Sequence, residues 1–382
     1  MSPELSPAEQ RIPAPSRSAY WGAVSNGDSP GAIAVVMDLR GRGVSLLDVL
    51  EGLVTATQAR VGRLWADNVW NVAMEHRATS VGEDVVAALA AAPRNGRRGV
   101  RGRAVVTCCD GEWHSLPSRV VATAMRDSGW QVDYLGASVP VSHLAQFLHD
   151  SGADVTAVSC SLPTALPRAR EMIEASRQIG APVIVGGAGF GPGGKWGLAL
   201  GANGTAAAAS SVDSVLDAPT WPAYTSPAPP LPSTDGAADL LWRHRRRLVS
   251  SAYRRLGERF PAVGSYDSRQ LARTEEDLGY LFDFLAAALY VDDAVLYSDF
   301  ISWMADLLEA RNVPRRALTA GLRSVGEAVD LEIGPQPRTQ RILAEATAVS
   351  MSGSRDLPRL DRSAGIPGPE IRSERVVGPL PD

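Results

Sequence analysis

The sequence predicts an α/β domain set between two all-helical segments. Three observations carry this expectation. Apolar residues recur at helical spacing before residue 99, short β-branched runs alternate with amphipathic stretches over 99–218, and a strandless helical pattern resumes over 237–351.

Taken in order, residues 1–30 are rich in Pro and Ser without apolar periodicity, and are expected to form a disordered tail. A helical bundle is expected over 31–98. There Leu46, Leu47, Val49, Leu50, Leu53 and Val54 form one stripe, continued by Val61, Leu64, Val69 and Val72. Ser45 and Ser80 are the expected N-caps, with Glu83 as capping-box partner of Ser80. Strands are expected at Ala104–Thr107, Gln131–Leu135, Val155–Ser159 and Val183–Val185. Between them, Ser118–Ser128, His143–Ser151 and Pro167–Ile179 read as helices. Such alternation means a doubly wound parallel sheet whose ligands lie at the carboxyl ends of its strands.

Residues 219–236 form a Pro-rich linker, with six prolines between Pro219 and Asp235. Over 237–351, Thr274 is expected to cap a helix bearing Leu278, Leu281, Phe282 and Leu285. A second ridge is formed by Leu296, Phe300, Trp303 and Leu307. Residues 352–382 are Pro/Arg/Gly-rich and expected to be disordered. No internal repeat is visible.

Composition bounds the function. The 382 residues, 45% hydrophobic and 21% charged, suffice for two or three domains with their own cores. A net charge of −4 argues against a protein that coats nucleic acid. Lys195 is the only lysine among 38 basic residues, so side-chain Schiff-base chemistry has one candidate. Cys108, Cys109 and Cys160 are too few for a disulfide framework and lack zinc spacing, which suits a reducing cytosol. No 18-residue apolar stretch exists, and Met1–Arg17 lacks the charge order of a signal peptide. A soluble cytoplasmic protein without a membrane segment is expected. No cyclase, kinase or nuclease motif is present, and no catalytic residue is assigned.

The chemistry concentrates after the first strand, in Gly111-Glu112-Trp113-His114-Ser115-Leu116-Pro117. Glu112 can hold the proton on one ring nitrogen of His114 and leave the other as a metal ligand. The plainer reading of His114 is a solvated loop histidine. Downstream, Ser159, Ser161 and Leu162 end the third strand and Gly186-Gly187 the fourth, small residues that let a long moiety thread beside the sheet.

These residues resemble the cobalamin-binding domain, whose pattern is Asp-x-His-x-x-Gly, then Ser-x-Leu, then Gly-Gly. Here Glu112 stands for the Asp and Pro117 for the Gly. The resemblance implies that His114 is the lower axial ligand of cobalt. Within that family, the loop and Tyr134-Leu135-Gly136 look most like the light-sensing CarH-type branch. Trp65, nine residues and then Glu75-His76 matches that branch's signature, in which the Trp covers the adenosyl group and Glu-His borders it. At about 100° per residue, Trp65 and Glu75 fall about 80° short of three turns, so they share a cavity if the chain bends between them. The plainer alternative makes Trp65 and Trp70 ordinary core aromatics. Ala66 replaces the histidine that follows the Trp in the branch, leaving His76 as the nearest imidazole in sequence. The branch's DNA-binding winged helix has no counterpart, which argues against a nucleic-acid partner.

In the C-terminal segment, nine arginines lie between Arg243 and Arg273 against Glu258 and Asp267, with Trp242, Tyr253, Phe260 and Tyr266 among them. Three readings stay open on residue types: a flat carboxylate-bearing ligand, a solvated helix face, and a nucleic-acid patch. The domain order resembles the photocobilins, where a phycobiliprotein-like or globin-like helical domain binds a bilin. That resemblance implies adenosylcobalamin and biliverdin as cofactors. Arg254 and Arg255 are the candidates for propionates, Tyr266 and Asp267 for pyrrole nitrogens. Without Cys or Lys in this segment, a bilin is held non-covalently. The expected function is a photoreceptor, acting as a homo-oligomer through a downstream protein; the alternative is a corrinoid carrier for methyl transfer.

Overall fold

The computed structural model describes residues 5–92, 101–222, 229–230 and 236–351. Most of the expected linker and all of 352–382 lie outside these.

A helical cap comes first: α1 (Pro7–Gln10), α2 (Ala14–Asn26), α3 (Ser29–Gly41) and α4 (Leu46–Val49). A π-helical turn at Leu50–Thr55 then leads into α5 (Ala56–Ala66), and α6 (Val72–Ala91) completes the cap. Ser45 caps α4 by accepting from the Asp48 N–H at 3.0 Å. Two expectations are corrected here. Residues 7–26 are not a tail: Ile12, Tyr20 and Val24 are fully buried and join Val36, Leu50 and Val85 in the cap core. Their spacing is helical, but Pro and Ser obscured it, since both are well placed at helix starts. Ser80 does not cap a helix, because it lies inside α6. Asn71 caps α6 instead, accepting from the Met74 N–H at 3.0 Å.

The α/β domain follows as β1 (Arg103–Cys108), α7 (Leu116–Asp127), β2 (Gln131–Gly136), α8 (Val141–Ser151), β3 (Val155–Ser159), α9 (Leu166–Gln178), β4 (Val183–Gly186), α10 (Lys195–Ala199), β5 (Gly204–Thr205) and α11 (Val212–Leu216). All pairings are parallel and the strand order is β2-β1-β3-β4-β5. β1 and β3 are buried along nearly their whole length, as a sheet covered by helices on both faces requires. The chain reverses its winding direction between β1 and β3, so the loops after these strands flank the crevice where such sheets bind ligands.

The C-terminal domain is all-helical among its described residues: α12 (Ala237–Arg259), α13 (Ser268–Tyr290), α14 (Ala294–Ala310), α15 (Arg315–Glu332) and α16 (Pro337–Met351). α13 starts earlier than expected. Asp267 caps it in a reciprocal box with Gln270, while Thr274 lies inside the helix and bonds back to the Gln270 carbonyl. The apolar faces of these helices bury Leu248, Phe282, Leu285, Tyr297, Phe300 and Val325. This core continues into the α/β domain through Leu166, Ile173, Phe190 and Trp196. Among the described residues, no helix is long and apolar enough to cross a membrane.

Candidate functional site

β1 ends in Cys108, and the chain turns through Gly111 (φ 82°) to place Glu112 under the crevice. Glu112 is only 3% exposed, yet its carboxylate is fully engaged. Oε1 accepts the His114 N–H at 2.9 Å and lies 2.5 Å from His114 Nδ1. Oε2 accepts the N–H groups of Ser161 at 2.7 Å and Leu162 at 3.3 Å. One buried carboxylate therefore joins the β1 loop to the β3 loop. Burial pushes its pKa up, but the His114 ring and the backbone donors outweigh this and hold it below the usual carboxylate range. A carboxylate at Nδ1 makes that nitrogen the protonated one, so Nε2 carries the lone pair a metal requires.

The rest of the loop is braced from below and beside. Ser115 precedes α7, Leu116 is buried, and Pro117 occupies its first turn, where no N–H is needed. Tyr134 Oη donates to the Ser115 carbonyl at 3.0 Å, and Ser118 Oγ lies 3.3 Å from that hydroxyl. Trp113 is 43% exposed beside His114. On the far side, Gly187 adopts φ 105°, and a Cβ there would sit 2.3 Å from the Cys160 carbonyl oxygen. A Cβ on Gly186 would meet the Ala206 carbonyl at 2.9 Å. These glycines let the β4 loop close against the β3 loop that carries Ser159, Ser161 and Leu162.

All three cysteines are buried and none forms a disulfide; burial pushes Cys108 up to about 12. Among the described residues, no cluster of His, Cys, Asp and Glu could hold a metal ion through protein ligands alone. A single oriented imidazole matches a metal whose other positions come from its own macrocycle.

The cap meets the His114 loop through α6. Ser115 Oγ donates to Glu83 Oε1 at 3.4 Å, linking α6 to the His114 loop. Eight residues earlier on α6, Glu75 accepts from Thr79 Oγ1 at 2.7 Å and lies 3.5 Å from His76 Nδ1. Glu75 thus stands roughly 12 Å along the helix from Glu83, at a rise of about 1.5 Å per residue. His76 is exposed. Trp65 is the penultimate residue of α5, and five residues separate α5 from α6, so the chain bends between Trp65 and Glu75.

Trp65 has neighbours the sequence does not announce. Its indole stacks on Trp303 of α14 at 6.5 Å between centroids, and the Arg311 guanidinium carbon lies 5.1 Å from its ring centre. The sequence places Trp303 in an apolar ridge, but nothing in it brings Trp303 or Arg311 to Trp65, since both lie more than 235 residues away.

The candidate bilin contacts lie on α12 and just before α13. Arg255 pairs with Glu327 at 3.2 Å and Arg254 is exposed on α12. Asp267 spends its carboxylate on capping α13, and Tyr266 packs partly buried against the domain core. A helix cap is already a complete use for Asp267, and a short polar residue before Ser268-Arg269-Gln270 is its sequence signal.

Residues 17–90 and 102–209 each match the model of a B12 binding domain. Dimethylamine corrinoid protein 1 of Methanosarcina acetivorans and dimethylamine corrinoid protein 3 of Methanosarcina mazei are each 28% identical over 83 residues, 21% of this chain. The match spans 39% and 50% of the lengths of these two relatives. The solved monomethylamine corrinoid protein of Methanosarcina barkeri aligns at 19% identity and a TM-score of 0.44, covering 51% of this chain and 94% of that one. The chain therefore carries a cobalamin-binding module, built from a helical cap and a Rossmann-like α/β domain.

Proposed function

We propose that this chain holds cobalamin between cap and α/β domain with His114 as lower axial ligand, and serves as a corrinoid carrier for methyl transfer. The bond from Glu112 to His114 Nδ1 is the observation that carries the ligand assignment. The carrier role is supported by the relatives, which are corrinoid proteins, and they favour it over the expectation of light sensing. When bound, cobalamin would supply a cobalt–carbon bond whose alkyl group can pass to a nucleophilic acceptor, leaving the electron pair on cobalt, or which light can cleave. Glu112 fixes the ring, Ser159, Ser161, Leu162, Gly186 and Gly187 shape the slot for the nucleotide tail, and the cap excludes water above. On this reading the chain is not itself an enzyme; a methyl-transferring partner does the chemistry.

A second reading, an adenosylcobalamin photoreceptor, is favoured by one observation. Trp65, at the head of the Trp–Glu-His signature, is packed against a C-terminal domain that the matched B12-binding regions do not include. Signalling would then run through this domain to a homo-oligomeric partner or a downstream protein. Non-covalent biliverdin belongs to the same reading. Its support is Tyr297, fully buried beside Phe300 with its hydroxyl unpartnered.

One experiment separates the two. The full chain is reconstituted with adenosylcobalamin in the dark, and spectra and mass are recorded before and after green illumination. The methylcobalamin form is offered a thiol acceptor together with a methyltransferase. Methyl loss without any light-dependent change of assembly supports the carrier. A lasting light-dependent spectrum with a change of mass overturns it in favour of the receptor. Biliverdin titration giving no saturable red absorption removes the bilin.

A further inference from the structure

The C-terminal domain meets both halves of the cobalamin module at the two ends of one helix. At the start of α14, Asp293 caps the helix by accepting the Val295 N–H at 3.1 Å. Its other oxygen lies 2.5 Å from Lys195 Nζ and accepts from Trp196 Nε1 at 2.8 Å, both on α10 of the α/β domain. Burial pushes this carboxyl up, but its bonds to Lys195 and Trp196 outweigh that and hold it below the usual carboxylate range. Just past the end of α14, Arg311 donates to the carbonyls of Trp65 at 3.0 Å and Ala66 at 2.9 Å. Asn68, in the left-handed region at φ 57°, reaches the Ala310 carbonyl at 3.4 Å. Seventeen helical residues span roughly 25 Å between these attachments.

The Arg311 contact has a physical logic. Trp65 and Ala66 are the last residues of α5, whose final carbonyls have no partner within their own helix. A guanidinium there satisfies the Ala66 carbonyl, adds a second donor to the Trp65 carbonyl that already accepts the Asn68 N–H at 3.1 Å, and lies against the indole at the negative end of the helix dipole. Trp303 closes the other contact on that indole. Arg311 is also the lone lysine's counterpart: Lys195 anchors one end of α14 and Arg311 the other.

We propose that α14 is a strut fixing the cap to the α/β domain, and that Arg311 and Trp303 are positioning residues that set Trp65 against the group on the upper face of the cofactor. The positioning half rests on the reading that Trp65 borders that face. A cap that swings away must give up both Arg311 hydrogen bonds and the indole stack. An upper-face group that displaces Trp65 must in turn move Trp303, so what the cofactor carries is felt over 236–351.

Two arms test this with the full chain. In the cofactor-free protein, amide exchange over residues 60–70 should rise about tenfold in Arg311→Ala, the loss of a charge-assisted bond pair, while β1 and β3 stay protected. Arg311→Lys should recover part of that protection, since lysine keeps the cation but not the fork. Unchanged exchange in Arg311→Ala overturns the strut, whatever the cofactor does. In the second arm, the ratio of adenosyl- to methylcobalamin affinity is compared for wild type, Arg311→Ala, Trp303→Leu and Trp65→Ala. The expected result is a ratio shifted severalfold in all three variants, with the histidine-ligated spectrum intact. If Trp65→Ala shifts the ratio and the other two do not, the positioning role is overturned. If Trp65→Ala leaves it unchanged, Trp65 does not border the upper face, and the underlying reading falls instead.

Discussion

The buried carboxylate of Glu112 holds His114 Nδ1 with one oxygen and the N–H groups of Ser161 and Leu162 with the other. Two loops that must both meet the cofactor thus share one anchor. His114→Ala should abolish the histidine-ligated spectrum of the cobalamin-loaded protein and weaken cofactor retention. Retention and spectrum identical to wild type would remove His114 from the ligand position.

Glu112→Gln tests the anchor separately. It sets an amide NH₂ against donors that now meet a carboxylate, leaving buried groups unsatisfied at about 1–3 kcal/mol. Because the folded-state pKa of Glu112 is lowered, its stabilisation is present above the unfolded value of about 4.5 and is lost as pH falls below it. Chemical denaturation of the variant should therefore show a smaller loss of stability on acidification than wild type. An equal loss in both would assign the acid sensitivity to other carboxylates.

Gly187→Ala should impair folding of the α/β domain and cofactor uptake together. The new Cβ would stand 2.3 Å from the Cys160 carbonyl oxygen, at a φ of 105° that only glycine adopts without strain. Yield and thermal midpoint are the measurements. A variant as stable as wild type would show that the β4 loop relaxes freely.

Tyr20→Ala examines the segment that composition suggested was a tail. Tyr20 is 1% exposed in the cap core, and truncating a large buried aromatic costs about 3–5 kcal/mol. The midpoint of urea denaturation should fall accordingly. A change within error would detach α2 from the cap.

Asp277 makes the C-terminal domain sensitive to pH in the opposite sense to Glu112. Burial and the neighbouring Glu276 push its pKa to about 6, against Arg273 and Arg311. A carboxyl raised in the folded state binds protons that the unfolded chain has released, so stability falls as pH rises from about 4 to about 6. Asp277→Asn should flatten that slope, read as thermal midpoint against pH. An unchanged slope would point to Asp299, which burial also pushes to about 6.

Much of the α/β domain was legible in the chain, because a strand buried on both faces writes itself as a short β-branched run. Val155–Ser159 needs no tertiary information to be recognised. The His114 loop was legible for a related reason: spacing along a strand and its loop is set by the backbone itself. Residues 7–26 were not, since a helix rich in Pro and Ser at its start carries the same letters as a coil. The Thr274 cap failed because Asp267, seven residues earlier, takes that role in a reciprocal box with Gln270.

What the sequence alone determined is local: the parallel sheet, the glycines after β4, the imidazole with a carboxylate two residues away. Each follows from dihedral preference, periodicity or near-neighbour reach. What only the tertiary structure decided is non-local. Arg311 meets the Trp65 carbonyl across 246 residues, and Lys195 meets Asp293 across 98. Such contacts leave no periodic trace, because their energy arises only once the cap, the α/β domain and the C-terminal helices have buried their faces against one another. The same burial gave Asp267 to a helix end and Arg255 to Glu327, partners that composition does not name.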